Sequence, residues 1–160
     1  KGLSAGTAAA AFSMFGPAML GGNFIGGLLC DKIRNRFVLA AGQILFIGTM
    51  LFTFIISEPW HAFVYLMLAG FSGGLIMTTY VVIWPNYFGR THIGSIRGVA
   101  TTAVIAFSAM GALPFGFAFD MTGSYNTAIL ILLALPVICA VSSLLAVKPK
   151  NPDKKAVSGP

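Results

Sequence analysis

Charge is what this sequence has least of. Only 9% of its 160 residues are Asp, Glu, Lys or Arg, and four of those are acidic, while 57% of the side chains are hydrophobic. Soluble domains carry about 25% charged residues. A chain this poor in charge leaves more apolar surface than water tolerates, which excludes an ordinary soluble globule. It also excludes disorder, because disordered chains are rich in charge and poor in apolar side chains. Cysteine is scarce too. Cys30 and Cys139 have no CxxC spacing, so neither a disulfide framework nor a metal site is expected, and both read as small apolar fillers. No cofactor is called for. Paired aspartates, a Ser–His pair at depth and an H-E-x-x-H helix are all missing, which argues against an intramembrane enzyme.

What the chain has instead is long apolar runs. A bilayer crossing takes roughly 20 residues, and five uncharged runs of that order occur, at about residues 7–29, 37–57, 61–85, 98–119 and 127–147. They are continuously apolar and do not alternate with period two, which favours helices over a β-barrel. An integral membrane protein of five transmembrane helices is expected, a bundle over residues 1–147 followed by a polar tail at 148–160. The lipid bilayer is its first partner.

The net charge of +6 does not mark a nucleic-acid partner, because the basic residues fall between and beyond the runs rather than in one patch. Lys32, Arg34 and Arg36 lie in the first connection, Arg90 and Arg97 in the third, and Lys148, Lys150, Lys154 and Lys155 in the tail. The second and fourth connections hold no cation and one acid each, Glu58 and Asp120. Threaded through five spans, nine of the ten cations share one face with Lys1 as the exception. That face is expected to be cytoplasmic, with the C-terminus inside, the N-terminus outside, and Trp60 and Tyr125 at the outer boundary. Lys1 follows no leader of a charged and then an apolar segment. No signal peptide is expected, and the chain is expected to begin partway into a longer protein.

Glycine supplies the packing signal. Ala18, Gly22 and Gly26 recur every four residues in the first run, and Gly70 and Gly74 repeat the spacing in the third, so close helix–helix approach is expected at both. Gly111, Pro114 and Gly116 predict a bend in the fourth run.

The first connection reads Gly27-Leu-Leu-Cys-Asp31-Lys32-Ile-Arg34-Asn-Arg36. It is similar to the signature loop of the major facilitator superfamily, G-x-x-x-D-[RK]-x-G-[RK]-[RK], with Gly27, Asp31, Lys32 and Arg36 in matching positions. Arg34 stands where that pattern has its turn glycine, and Asn35 replaces one of its basic pair, so a looser turn is expected here. The segment from Tyr87 to Gly98 resembles the link before the eleventh span of monocarboxylate-like members, and Asp120 to Tyr125 the link before the twelfth. The resemblance implies spans eight to twelve, five helices of a six-helix C-terminal half. The seventh span and the N-terminal half of the same protein are then missing partners. It also implies alternating-access transport of a small organic solute, a monocarboxylate-like anion, in the plasma (inner) membrane. Drug or metabolite efflux is the alternative, and a non-transporting receptor or assembly module the third reading.

An acid at a helix end can bond the exposed N–H groups of a neighbouring helix or pair with a cation, then release. Gly27, Asp31, Lys32 and Arg36 are accordingly the expected conformational-switch loop. No Asp, Glu, Lys or Arg lies within any run, so a proton-carrying carboxylate or a cationic clamp is expected outside this segment. Among the neutral polar residues at depth, the resemblance points to Asn23, Ser72, Thr79 and Ser108 as substrate-path candidates. Gln43 is read as a packing residue, and His61 as interfacial rather than a proton relay.

Overall fold

In a computed structural model of the chain, residues 5–88, 93–110, 116–117, 120–121, 123 and 125–146 are described. Among them the regular elements are all helical: α1 (Ala5–Phe12), α2 (Phe15–Lys32), α3 (Asn35–Phe52), α4 (Pro59–Phe88), α5 (Ile93–Met110) and α6 (Tyr125–Leu145). The stretches Gly6–Lys32, Asn35–Phe52 and Pro59–Pro85 are long and apolar enough to cross a membrane, and Ile93–Ser108 and Ile129–Leu145 are shorter apolar helices. The expected bend at Gly111 and Pro114, the residues Arg90 and His92, and the tail 148–160 lie outside the described residues.

Proline and local capping set where these helices stop and start. The first apolar run is divided at Ser13 and Met14. Pro17 has no N–H to offer the Ser13 carbonyl and its ring crowds that carbonyl, so the ladder breaks there. The Ser13 amide still closes the end of α1 on the Ala9 carbonyl (3.2 Å), and its Oγ donates to the Ala10 carbonyl (2.7 Å). Pro59 opens α4, where a missing N–H costs nothing and the fixed φ suits a helix. His61 closes that start. Its Nδ1 accepts from the backbone N–H groups of Glu58 (3.0 Å) and Ser57 (3.4 Å), the role a glutamate plays in a capping box. The far end of α4 runs to Phe88, three residues beyond the expected stop at Pro85, with Pro85 carried inside the helix.

The turn between α2 and α3 is Ile33 and Arg34 alone. Arg34 adopts φ −60° and ψ 127°, a conformation open to any L-residue. The glycine that the family pattern places there is therefore not needed for tightness.

α2 and α4 run parallel and pack backbone to backbone. A Cβ added at Gly70 would strike the Phe15 carbonyl, at Gly74 the Met19 carbonyl, and at Gly22 the Phe71 carbonyl. Each partner advances by four residues in the same direction, which fixes both the orientation and the register. Gly26 continues the seam against Leu75 and Thr78 (3.4 and 3.3 Å). α3 returns antiparallel. Its last residue, Phe52, lies edge-on to His61 near the start of α4 (5.8 Å), and Gly42 faces Ile76. α6 packs on the other side of α3, burying Pro136, Ala140 and Ser143, whereas α5 is exposed along almost all of its length.

Most of the buried residues are small, among them Ala11, Ala40, Ala62, Ala140, Ser72, Thr49 and Thr79, with Val38, Leu75 and Asn35 the larger ones. The bulky apolar side chains point outward, with Phe24 72% and Phe107 74% exposed. That inversion is what lipid requires, since hydrocarbon gains nothing by hiding phenylalanine and close backbone contact must come from small residues. The test is selective. Gly22→Val and Gly74→Val push a side chain into opposing backbone and are expected to cost roughly 1–3 kcal/mol or more. Gly27→Ala, where a Cβ meets nothing within 4 Å, is expected to leave thermal stability in detergent unchanged or raised. Equal melting temperatures for the Gly22 and Gly27 variants contradict the packing.

Candidate functional site

Two side-chain contacts join α2 to α4 across the seam. The Thr78 hydroxyl donates to Asn23 Oδ1 (2.9 Å) and approaches the Asn23 carbonyl (3.3 Å). Thr49, Thr79 and Thr102 instead donate to the carbonyl four residues back in their own helices, at 2.9, 2.8 and 2.9 Å. Thr78 is turned across the interface. Gly74 makes this possible, because a Cβ there would sit 2.7 Å from the Asn23 nitrogen.

Two turns further along α2, Cys30 Sγ lies 3.6 Å from Thr79 Oγ1. The Thr79 proton is engaged by the Leu75 carbonyl, so the thiol is the donor in this pair. Both residues are buried, Thr79 completely.

The four expected path residues therefore separate. Asn23 is half-buried at the α2–α4 seam. Ser72 and Thr79 have no exposed surface, and each hydroxyl bonds its own helix, Ser72 to the Ala69 carbonyl at 3.0 Å. Ser108 is exposed on α5. The structure brings Asn23 and Thr79 to the same pair of helices and places Ser108 on another element. Thr78, which holds the Asn23 carboxamide, is the residue that sequence reasoning passed over. Its one visible signal is the position four residues beyond Gly74 in a small-residue stripe.

The expected switch loop gathers at the end where α2 stops and α3 starts. Asp31 and Lys32 are exposed in the last turn of α2. Arg36 is half-buried, with its guanidinium 4.7 Å from the centre of the Phe37 ring and its Nε enclosed without an acceptor. Asn35 is 7% exposed, and its Nδ2 is likewise enclosed without an acceptor, as is the hydroxyl of Tyr80 on α4. The Tyr80 ring stands edge-on to Trp84 (5.6 Å). The opposite end of α3 carries Glu58, Trp60 and His61, with the last two rings 4.0 Å apart. Among the described residues no group of three or more His, Cys, Asp or Glu is arranged to hold a metal ion.

An all-helical bundle with small residues inside, bulky apolar residues outside and charges confined to helix ends is an integral membrane protein. The model of the Major Facilitator Superfamily matches residues 1–160, and the chain belongs to that superfamily. A protein of Cupriavidus necator named as a probable sulfoacetate transporter, SauU, is 29% identical over 160 aligned positions, covering 88% of this chain and 36% of the relative. The chain thus spans little more than a third of that curated relative's length. No solved structure matches the chain.

The Asn23–Thr78 contact has a measurable energy. Interhelical hydrogen bonds within membranes average about 0.6 kcal/mol, with a maximum near 1.7. A double-mutant cycle of Asn23→Ala and Thr78→Val, read as unfolding free energy in detergent, is expected to give a coupling in that range. A coupling of zero contradicts the bond.

Proposed function

We propose that this chain is part of the C-terminal half, spans eight to twelve, of a secondary active transporter that moves a small organic anion by alternating access. The observation that carries the solute class is the likeness to a relative named for sulfoacetate, a two-carbon anion with a carboxylate and a sulfonate. Membership of the superfamily and the monocarboxylate-like connections both support that reading. The N-terminal half and the seventh span supply the opposite wall of the path, since one half encloses nothing by itself.

In this reading the nine clustered cations face the cytoplasm of a plasma (inner) membrane, and the C-terminus is cytoplasmic. Lys32, Arg34 and Arg36 lie at one end of α3, and Glu58 and Trp60 follow its other end, roughly 27 Å of helix away. Gly27, Asp31, Lys32 and Arg36 form the switch loop. The enclosed Arg36 Nε gives that loop an unmet donor, and an acceptor met in only one of two states biases the equilibrium toward that state.

Of the charged side chains of these helices, Asp31, Lys32 and Arg36 lie in first or last turns, and Arg97 is the fifth residue of α5. This segment therefore meets the solute with neutral donors, and the compensating cation and any proton carrier belong to the rest of the transporter.

The full-length protein reconstituted in vesicles is expected to take up labelled sulfoacetate saturably, and an absence of uptake of any small organic anion overturns the proposal. Asp31→Asn, Glu58→Gln and Asp120→Asn are expected to preserve any coupling of uptake to a proton gradient, with only Asp31→Asn lowering the maximal rate. Loss of coupling in any of the three places the proton carrier in this segment and contradicts the reading. Cysteines placed at Arg34 and Glu58 are expected to react with a membrane-impermeant reagent from opposite sides. Labelling from one side overturns the threading.

A further inference from the structure

We propose that the carboxamide of Asn23 is a solute-binding group whose N–H donors hold an oxyanion of the transported molecule. Thr78 is its positioning residue, and Gly27 is the gap that admits the ligand. The assignment rests on the organic-anion reading above and names the atoms of this chain that recognise the anion.

A side-chain amide has one acceptor oxygen and two N–H donors. In Asn23 the oxygen is engaged by the Thr78 hydroxyl on the α4 side of the seam. The planar amide then directs Nδ2 away from that contact. The same hydroxyl lies 3.3 Å from the Asn23 backbone carbonyl, so its one proton goes to the nearer acceptor, Oδ1.

Nδ2 is not sealed. Asn35 is the informative contrast, because its Nδ2 is enclosed without an acceptor and no ligand can reach it, whereas Asn23 is only half-buried. Asn23 also lies about 12 Å along α2 from one end and about 14 Å from the other.

The space beside it follows from Gly27. Helical side chains lean toward the N-terminus, so a residue covers the surface over the turn before its own Cα. Position 27, one turn beyond Asn23, is where a side chain would cover this amide. It is glycine, and a Cβ there would meet no atom within 4 Å. The other seam glycines, Gly22, Gly26, Gly70 and Gly74, are needed for contact with the opposing helix. Gly27 is not required for packing against any described element, and what it leaves is room beside the Asn23 amide. Bonds from N–H to an anionic oxygen are charge-assisted and stronger than bonds between neutral groups. The site therefore favours a carboxylate or sulfonate over a neutral solute.

The test uses the full-length transporter in vesicles with labelled sulfoacetate as probe. Asn23→Ala and Gly27→Val are expected to raise KM roughly tenfold or more, as loss of a bond to a charged group implies. Their maximal rates are expected to fall much less. Thr78→Val raises KM as well, and Thr78→Ser, which keeps the hydroxyl, restores it. Gly27→Ala keeps the fold and is expected to raise KM in the same direction, so the inference stands even where a larger substitution fails to assemble. Unchanged KM in Asn23→Ala and Gly27→Ala overturns the assignment, and so does a Thr78→Ser protein that behaves as Thr78→Val. Variants that lose only maximal rate show Gly27 acting through the switch loop, which also overturns it. A wild-type protein that takes up neither sulfoacetate, acetate nor methanesulfonate overturns the organic-anion reading and this assignment with it.

Discussion

The backbones of α2 and α4 touch, and the rest of the structure follows from that contact. In hydrocarbon, burying a leucine against another helix gains little, because the lipid it leaves is equally apolar. What holds helices together is dispersion between closely fitted surfaces, and closeness demands that Cβ atoms be absent where carbonyls approach. Gly22, Gly70 and Gly74 meet opposing carbonyls at the places where any side chain would collide. The register they impose is strict, since sliding either helix by one residue brings a bulky neighbour such as Phe71 into the seam.

That register decides which polar groups meet. Thr78 reaches Asn23 because Gly74 lets the two backbones close one turn earlier, and Cys30 reaches Thr79 in the register that sets Gly22 against Phe71 and Gly26 against Leu75. The alternative for each hydroxyl is the carbonyl of its own helix, which Ser72 and Thr79 take. A hydroxyl satisfied within its helix adds little that a solute can use. One turned across an interface orients its partner, and the orientation leaves particular donors free. The functional content of the seam thus lies less in how many polar residues it holds than in which of them are already engaged.

Much of this was legible before any coordinates. The all-α membrane fold follows from apolar runs and the scarcity of charge, and family membership was anticipated by Gly27, Asp31, Lys32 and Arg36. The stripes at Ala18, Gly22, Gly26 and at Gly70, Gly74 announced close packing, though not which stripe faced which. Helix breaks were harder to read. The interruption at Ser13 comes from Pro17 four residues later, yet Pro85 and Pro136 sit inside helices that continue through them. A proline's missing donor breaks a helix only where the surroundings do not compensate. At the α2–α3 turn, Arg34 stands where the family pattern has a glycine and makes a two-residue connection with ordinary dihedrals, which the pattern alone did not show.

The sequence by itself determined the solvent of this protein, its helical character and the ends at which its charges lie, because each depends on side-chain chemistry summed along the chain. Only the tertiary structure decided that Asn23 and Thr78 form a pair while Ser72 turns back on its own helix. It alone showed that Gly27 borders open space while Gly22 borders a backbone. Those distinctions depend on the relative azimuth and offset of two helices nearly fifty residues apart, and periodicity along one strip of sequence carries no record of either.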